Sequence, residues 1–355
     1  MANVKRSHFL AFDEGFFDII GPSATLERIQ AFGPSEQHVH EAPVYLPDSN
    51  ELLYSDTSLA GTLFAIDIDT HKVSSWKCCA LVMPSLTFGK VRKISLNPPL
   101  PNINGATPHP SNDLIYVATN GGSVRGLFAL NTTSGLSQPI LNNFRGRHFN
   151  SPNDLIFDAN SNIYFTDPTY GWNQKWPGVQ EPELPNGIYR FNTKSGQVTT
   201  LSNSHLKMPN GLALSKDEKT LYVADSSSAN FGLAEQRAVF AFDIRADGLL
   251  DGPRLVHQVE SGWPDGLRVT DRGYLMVAVA GGVDVVDPKD GRLMGKINTP
   301  DDWIFNLEPA RGRDGVWLLT GKNGIYKAVI DEKPVERRGM LNLGAKGFVD
   351  WLLKR

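Results

Sequence analysis

A short phrase that reads as a β-hairpin recurs six times along the 355-residue chain. Each copy begins with a polar residue, which we name its leading residue, and continues with a short apolar strand, a turn rich in Gly, Asn or Asp, and a second strand. The copies read EAPVYLPDSNELLYSD from Glu41, NGATPHPSNDLIYVATN from Asn104, NDLIFDANSNIYFTDP from Asn153, NGLALSKDEKTLYVADS from Asn210, DGLRVTDRGYLMVAVAGG from Asp265 and NLEPARGRDGVWLLTG from Asn306. Repeats of roughly 40 to 60 residues built from short strands are typical of β-propeller blades that carry loop insertions.

A second phrase, seen as GLFALNTTSG and GIYRFNTKSG, follows each hairpin and supplies a third strand, and the apolar stretch after it supplies a fourth. We therefore predict an all-β fold, a six-bladed β-propeller with four-stranded antiparallel blades around a central tunnel. It would form one domain over residues 1–355, with residues 1–24 as an N-terminal extension. The segment TLERIQAF from Thr25 is expected to pair with the last repeat and close the ring. The alternative, a pair of β-sandwiches, does not require six recurring leading residues.

The charge balance argues against two classes of partner. Lys and Arg number 35 and Asp and Glu number 38, so the net charge of −3 offers no basic field for nucleic acid or an anionic membrane. No apolar run reaches the length of about 18 residues that a membrane span needs. The only cysteines are the neighbours Cys78 and Cys79, and acidic residues interrupt the apolar N-terminal stretch. We expect a cytoplasmic protein, a monomer or weak homo-oligomer, that binds a small molecule.

The leading residues would meet at the propeller axis, because equivalent positions in successive blades are related by rotation. The set contains two carboxylates, four carboxamides and no Lys or Arg. Two carboxylates in a confined mouth repel each other and lose hydration unless they are protonated or bind a cation. We predict a divalent metal ion held by Glu41, Asn153, Asn210 and Asp265. Oxygen donors favour Ca²⁺, with Mg²⁺, Mn²⁺ or Zn²⁺ as alternatives.

A simpler interpretation exists for some of these residues, since Asn-Gly and Asp-Gly are also common turn dipeptides. It applies to Asn210 and Asp265 and fits Asn104 and Asn306 well, whereas Glu41 has no special role in turns. For Asn104 and Asn306 we predict substrate contact rather than metal binding. The chain contains no GxSxG, Walker or GxGxxG motif and no HExxH pair, so serine-hydrolase, nucleotide-hydrolase and dinucleotide functions have no support.

Four phrases taken together, HEAPVY, FNSPNDLIFDANSNIYFTDPTYG, MPNGLALSKDEKTLYVAD and WPDGLRV, resemble the SMP-30/gluconolactonase/LRE-like family of six-bladed propellers over about residues 36 to 330. The resemblance implies a calcium-type site made by Glu41, Asn153, Asn210 and Asp265, and hydrolysis of a lactone or related ester. The cation would polarise the carbonyl and activate a water molecule, and we take Asp265 as the general base. Ser151 stands where animal members have an arginine that contacts substrate, which argues against a sugar lactone.

The loops over the mouth are expected to select the substrate. We predict substrate contacts for Ser151, Trp172 and Trp263, although the tryptophans could instead serve only to fix their loops. A further long insertion contains Trp76. Three other functions are open: a phosphotriester or organophosphate hydrolase with the same ion, a non-catalytic small-molecule-binding propeller with a structural calcium ion, and a ring-opening or isomerising enzyme of secondary metabolism.

Overall fold

The computed structural model describes residues 8–58, 62–70, 92–110, 112–202, 205–232 and 234–335. Within these residues the protein consists mainly of β-strands, which confirms the predicted all-β class. The helices are short: α1 (Phe16–Ile20), α2 (Tyr170–Asn173), α3 (Ser228–Phe231) and a 3-10 helix over Pro34–Glu36. No helix in this part of the chain combines the length and apolar character needed to cross a lipid bilayer.

The strands between His40 and Gln258 form four separate four-stranded antiparallel sheets and one small ribbon. Strands β1 (Phe9–Ala11) and β2 (Thr25–Ala31) precede the first sheet, which contains β3 (His40–Leu46), β4 (Glu51–Asp56), β5 (Thr62–Asp67) and β6 (Arg92–Ser95). The second contains β7 (Ile103–Pro108), β8 (Leu114–Thr119), β9 (Gly126–Asn131) and β10 (Ser137–Leu141), and the ribbon contains β11 (Asn143–Phe144) and β12 (Arg147–His148). The third contains β13 (Leu155–Phe157), β14 (Asn162–Asp167), β15 (Gly187–Asn192) and β16 (Val198–Ser202), and the fourth β17 (Pro209–Leu214), β18 (Thr220–Asp225), β19 (Ala238–Ile244) and β20 (Leu250–Gln258). In each sheet the strands are neighbours in chain order, as predicted for a propeller-like arrangement.

The last two repeats differ from the prediction of six separate sheets, because they share one sheet of seven strands. Its later strands are β21 (Leu267–Val269), β22 (Leu275–Asp287), β23 (Arg292–Pro309), β24 (Val316–Gly321) and β25 (Gly324–Val329). The first part of β23 pairs with β22, from Arg292 opposite Asp287 to Trp303 opposite Ala280. The rest pairs with β24. The two predicted hairpins are therefore both present and joined, since β23 continues from the fifth repeat into the leading residue of the sixth.

The N-terminal residues complete this sheet. Strand β2 pairs with β25, from Thr25 opposite Val329 to Ala31 opposite Gly324, which confirms the predicted pairing of the chain ends. Residues 8–24, the described part of the predicted N-terminal extension, pack against this sheet. Strand β1 pairs with β23. Phe16 and Ile19 of α1 are buried in the same apolar cluster as Trp317.

The core of the described part of the chain consists of six apolar clusters, each between successive repeats. One contains Leu53 of the first sheet and Val117 of the second, and the next four continue in chain order. The sixth joins Leu318 of β24 to Leu52 of β4, so the last repeat packs on the first. Both faces of each sheet are thus covered, which explains why strands such as β8, LIYVAT, are apolar at most positions and do not alternate. Each fully buried Val, Leu or Phe contributes about 1.5–3 kcal/mol.

Candidate functional site

A cavity of about 210 Å³ lies at the start of the inner strands. Its lining comes from all of the sheets: Val39, Glu41, Thr57, Asn104, Asn120, Asn153, Tyr170, Gln174, Trp176, Asn210, Ala229, Asn230, Trp263, Asp265 and Phe305. A larger depression of about 380 Å³ lies along the outer strands of the fourth sheet, with Phe240, Leu255 and Gln258 in its lining. The lining of that depression has a single carboxylate, Glu235, next to the cation Arg237, whereas the smaller cavity has two carboxylates and no cationic side chain, so we place the candidate site in the smaller cavity.

The structure brings the predicted leading residues together. Five of them line the cavity: Glu41, Asn104, Asn153, Asn210 and Asp265. The sixth, Asn306, lies against Glu41 and donates a hydrogen bond from Nδ2 to its Oε2 at 2.8 Å. All six side chains are buried. Residues separated by up to 265 positions in the sequence are therefore neighbours, as the ring arrangement requires.

The glycines that follow three leading residues permit a close approach between inner strands. A Cβ atom on Gly105 would lie 2.3 Å from the backbone oxygen of Asn153, and one on Gly211 would lie 2.1 Å from that of Asp265. Asn104 and Asn210 lie within strands β7 and β17, not in turns. The turn interpretation is therefore wrong for these residues, because glycine is needed here for lack of a side chain. It is also wrong for Asn306, which lies inside β23.

Asn210 is held in one orientation by two hydroxyl groups. Its Nδ2 donates to Tyr170 Oη at 3.1 Å and to Ser226 Oγ at 3.0 Å. The Ser226 hydroxyl in turn donates to the backbone oxygen of Pro264 at 2.6 Å, so it can only accept from Asn210. With both amide hydrogens engaged, the carbonyl Oδ1 of Asn210 is the atom left for a ligand.

Two further carboxamides present oxygens that have no protein partner. Oδ1 of Asn153 and Oδ1 of Asn120 are buried and accept no hydrogen bond from the described residues. Both side chains line the cavity. A buried polar atom without a partner costs roughly 1–3 kcal/mol. These oxygens therefore indicate that something other than this chain's own donors satisfies them.

The carboxylates of the site are buried and lie close to one another, and both effects change their pKa values. Burial raises the pKa of Glu41 well above its usual value, and the nearby Asp265 raises it further. Burial likewise raises the pKa of Asp265 to about 7, against a weak hydrogen bond of 3.4 Å from Trp263 Nε1. A third carboxyl, Asp154, has a pKa raised by burial and adds to the negative potential at Glu41 and Asp265.

The donor set is suited to a hard divalent cation. Two carboxylates supply two negative charges, and Asn153 and Asn210 supply neutral carbonyl oxygens, which are ligands typical of Ca²⁺. In the described ranges no group of three or more His, Cys, Asp or Glu side chains is arranged to hold a metal ion. The present set includes only two such residues and depends on carboxamides for the rest. Its unpartnered Asn153 oxygen is the feature that best fits a bound ion.

The other predicted substrate contacts have mixed outcomes. Trp263 lines the cavity, as does Asn104. Ser151 does not, because its hydroxyl is fully buried, donates to Asn150 O at 2.7 Å and accepts from Gly171 N at 2.9 Å, where it supports α2. Trp172 also lies outside the lining and is 44% exposed, whereas Trp176 of the same loop is part of it. Trp76 lies outside the described residues.

Several lining residues were not predicted from the sequence: Val39, Thr57, Asn120, Tyr170, Gln174, Ala229, Asn230 and Phe305. Some of them had a usable signal. Asn120 directly follows β8, and antiparallel pairing returns the end of that strand to the start of β7, where the backbone NH of Asn120 bonds Asn102 O at 3.1 Å. Ser226 follows β18 in the same way. The residue after the second strand of each hairpin is thus a candidate for the site.

The chain is similar to several known proteins. The sequence pattern of the SMP-30/Gluconolactonase/LRE-like family matches residues 39–308. Lactonohydrolase oryL of Aspergillus oryzae is 28% identical over 351 residues, which cover 92% of this chain and 75% of that protein. Gluconolactonase of Zymomonas mobilis is 29% identical over 276 residues, covering 73% of this chain and 69% of that protein. The solved structure of a gluconolactonase from Xanthomonas campestris has a TM-score of 0.72 at 24% identity, over 92% of this chain and 96% of that one, and so shares the fold.

Proposed function

Because the chain belongs to the SMP-30/gluconolactonase/LRE-like family, we propose that it is a divalent-metal-dependent lactone hydrolase whose active site is the cavity around Glu41, Asn153, Asn210 and Asp265. Relatives named lactonohydrolase and gluconolactonase support hydrolysis of a lactone. The observation that carries the proposal is the meeting of two buried carboxylates with the unpartnered oxygen of Asn153 in one cavity. We also propose that the fold is a six-bladed propeller, in which the seven-stranded sheet counts as two blades that share β23.

The residues of the site have different roles in ring opening. Glu41, Asn153, Asn210 and Asp265 would hold the cation, with Ca²⁺ as the first candidate, and the ion supplies positive charge that polarises a carbonyl group and acidifies water. Asn306 keeps the Glu41 carboxylate in position through its 2.8 Å hydrogen bond. Asp265 is our candidate general base, which takes a proton from the attacking water. The water oxygen bonds to the lactone carbonyl carbon, the ring C–O bond breaks, and the ring oxygen receives a proton to give a hydroxy acid.

A hydrolysis assay with and without chelator tests this function. We expect the protein to open neutral lactones, to lose turnover after treatment with a chelator, and to regain it on addition of Ca²⁺, followed by continuous titration of the acid produced. Preferential hydrolysis of phosphotriesters would instead support the organophosphate alternative. A fall in melting temperature on chelation, with no lactone hydrolysis before it, would support a structural ion and contradict the proposal.

A substitution outside the cavity tests the orientation of Asn210. Ser226→Ala removes one acceptor for Asn210 Nδ2 and is expected to weaken Ca²⁺ binding by about 10- to 100-fold, as for other groups that orient metal ligands. Isothermal titration calorimetry measures the change. Ser215→Ala is the matched control, because that hydroxyl bonds Asp217 Oδ1 at an exposed turn. Equal Ca²⁺ affinity in the two variants would contradict the assigned role of Ser226.

A further inference from the structure

The cavity changes in character from its floor to its mouth. The floor residues Glu41 and Asn153 are polar and nearly fully buried, at 2% and 3% exposure. The lining residues with more exposure include Trp176 and Trp263, which are half-buried, and Val39, which is 37% exposed. The exposed Gln174 and the half-buried Asn230 add carboxamides to this mouth, so an entering ligand meets aromatic, apolar and amide surface before it reaches the buried carboxylates.

One wall of the mouth is built from three packed aromatic rings. The ring centroids of Trp263 and Trp303 are 4.1 Å apart, and the rings of Trp303 and Phe305 are nearly parallel, with centroids 6.2 Å apart. Gly262 adopts a φ of +68°, and a Cβ there would lie 2.5 Å from the Trp303 ring, so the loop is shaped around that ring. Trp263 and Phe305 present this wall to the cavity. A supported aromatic face of this kind favours stacking with an apolar group of a ligand.

Apolar surface continues outward on the segments that line the cavity. Trp172 is 44% exposed on α2, next to the lining residue Tyr170, and Phe231 is 53% exposed beside the lining residue Asn230. Together with Val39 they belong to the exposed large apolar side chains of the described residues. Exposed apolar groups on segments that border a cavity add apolar surface near it, a feature common at ligand-binding sites.

The charges of the site act against an anionic ligand. No Lys, Arg or His contributes to the cavity lining in the part of the chain that the structure describes. Glu41 and Asp265 together balance one divalent cation, while Asp154 adds a third carboxyl close by. A carboxylate or phosphate on the substrate would lose hydration here without a side chain of opposite charge to pair with.

We propose that the substrate is a lactone with an uncharged apolar substituent, alkyl or aryl, which packs against Trp263 and Phe305 while the lactone carbonyl lies over the polar floor. This inference rests on the proposed lactonase function. The cavity would then disfavour lactones that carry a carboxylate or phosphate. Polyhydroxylated lactones would be hydrolysed less efficiently than lactones with an apolar substituent.

A set of lactones on one ring system tests the proposal. We expect kcat/KM for δ-valerolactone with a phenyl group at ring position 6 to exceed that of unsubstituted δ-valerolactone by about tenfold or more, from burial of the phenyl group. The 6-carboxylate analogue should fall at least about tenfold below the unsubstituted ring. Glucono-δ-lactone should also fall below the phenyl compound. Quenching of tryptophan fluorescence by 3-phenylcyclohexanone, the carbocyclic analogue that cannot be hydrolysed, gives an independent measure of binding.

Substitutions of the aromatic wall complete the test. Trp263→Leu should reduce the phenyl-to-unsubstituted ratio of kcat/KM about tenfold, and Trp263→Phe should recover most of it. Phe305→Leu serves if the first variant does not fold, and Phe17→Leu, at a ring 61% exposed on α1, is the control that should keep the ratio. If no lactone is hydrolysed, the proposed function itself fails. If lactones are hydrolysed but the carboxylate or polyhydroxy compound is preferred, or the ratio is unchanged in Trp263→Leu, the substrate class is overturned while the function stands.

Discussion

Replacement of Glu41 by Gln is expected to lower kcat/KM for lactone hydrolysis by about 10²–10³-fold, a loss comparable to removal of one preorganised electrostatic group. Gln preserves the shape of the side chain, and its oxygen can still accept the hydrogen bond that Asn306 Nδ2 donates to Glu41 Oε2. The variant removes the negative charge that the cation needs. The fold should therefore survive while turnover is lost, as measured by steady-state kinetics at saturating Ca²⁺.

The same substitution should stabilise the protein when metal is removed. Burial raises the pKa of Glu41 and that of Asp265, the latter to about 7. A carboxyl whose pKa is higher in the folded than in the unfolded state binds protons more tightly when folded, so its contribution to stability falls as pH rises toward the folded value. In chelator, Glu41→Gln should thus unfold at a higher temperature than the wild type at pH 8, with a smaller difference at pH 5.

Calcium should reverse this order. A cation that binds only the folded protein stabilises it by about 2.7 kcal/mol at 100 times its Kd, and we expect most of this gain to be absent from Glu41→Gln. Glu27→Gln is the control, because Glu27 lies half-exposed on β2. An unchanged turnover, or a Ca²⁺-induced rise in melting temperature equal to that of the wild type, would show that Glu41 does not hold the ion.

The register of the repeats could be predicted from the sequence because each leading residue occupies the same position in its hairpin. Rotation about the axis then turns equal register into proximity, so Glu41 and Asn306 meet although they are far apart in the chain. Identification of the hairpin copies was sufficient for this step. It required no knowledge of the loops.

Glycines next to the leading residues were ambiguous in the sequence, because both a turn and the close approach of a neighbouring strand require glycine. Gly105 and Gly211 looked like turn glycines, yet they are needed because the neighbouring inner strand occupies the space of a side chain. That neighbour comes from the next repeat, so no local window contains the cause. In the same way nothing in RLMGKINTPDDWIFNLEP predicted that one strand, β23, would serve both of the last two repeats.

Loop residues were the least predictable part of the site. Trp172 and Trp176 lie in one segment, and only Trp176 lines the cavity. The difference arises because α2 places Tyr170 in the cavity and leaves Trp172 facing outward, with 44% exposure. Ser151, predicted as a substrate contact, lies beneath this helix and holds it by the hydrogen bond from Gly171 N. The contact with Gly171 is tertiary and leaves no mark in the sequence.

Asp284→Leu is expected to reduce the free energy of unfolding by about 3–5 kcal/mol, the range for breaking a buried ion pair from one side. Asp284 of β22 lies between His257 and Lys296, with Oδ2 2.9 Å from His257 Nε2 and Oδ1 2.8 Å from Lys296 Nζ. The contact between Lys296 Nζ and Asp284 Oδ1 is an ion pair without the alignment of a hydrogen bond. The three side chains are 4%, 7% and 17% exposed and join the fourth sheet to the seven-stranded sheet. Leucine would leave Lys296 without its partner in this setting.

The pH dependence and two further variants separate this cluster from ordinary surface charge. Burial acts to raise the pKa of Asp284, but the hydrogen bond to His257 and the charge of Lys296 outweigh it, so the pKa lies below its usual value. A depressed carboxyl pKa contributes stability above the ordinary value of 3.8, which is lost as pH falls through the folded value. The wild type and Asp284→Leu should therefore converge in stability toward pH 3 in urea unfolding.

Asp247→Ala, which breaks the exposed pair with Arg245, should change stability by no more than about 0.5 kcal/mol. Adding Lys296→Met to Asp284→Leu should recover part of the loss, since it removes the unpaired charge. Two results would mean that the cluster does not hold the sheets together. One is an Asp284→Leu variant whose free energy of unfolding is no lower than that of Asp247→Ala. The other is a double variant, Asp284→Leu with Lys296→Met, that is no more stable than Asp284→Leu alone.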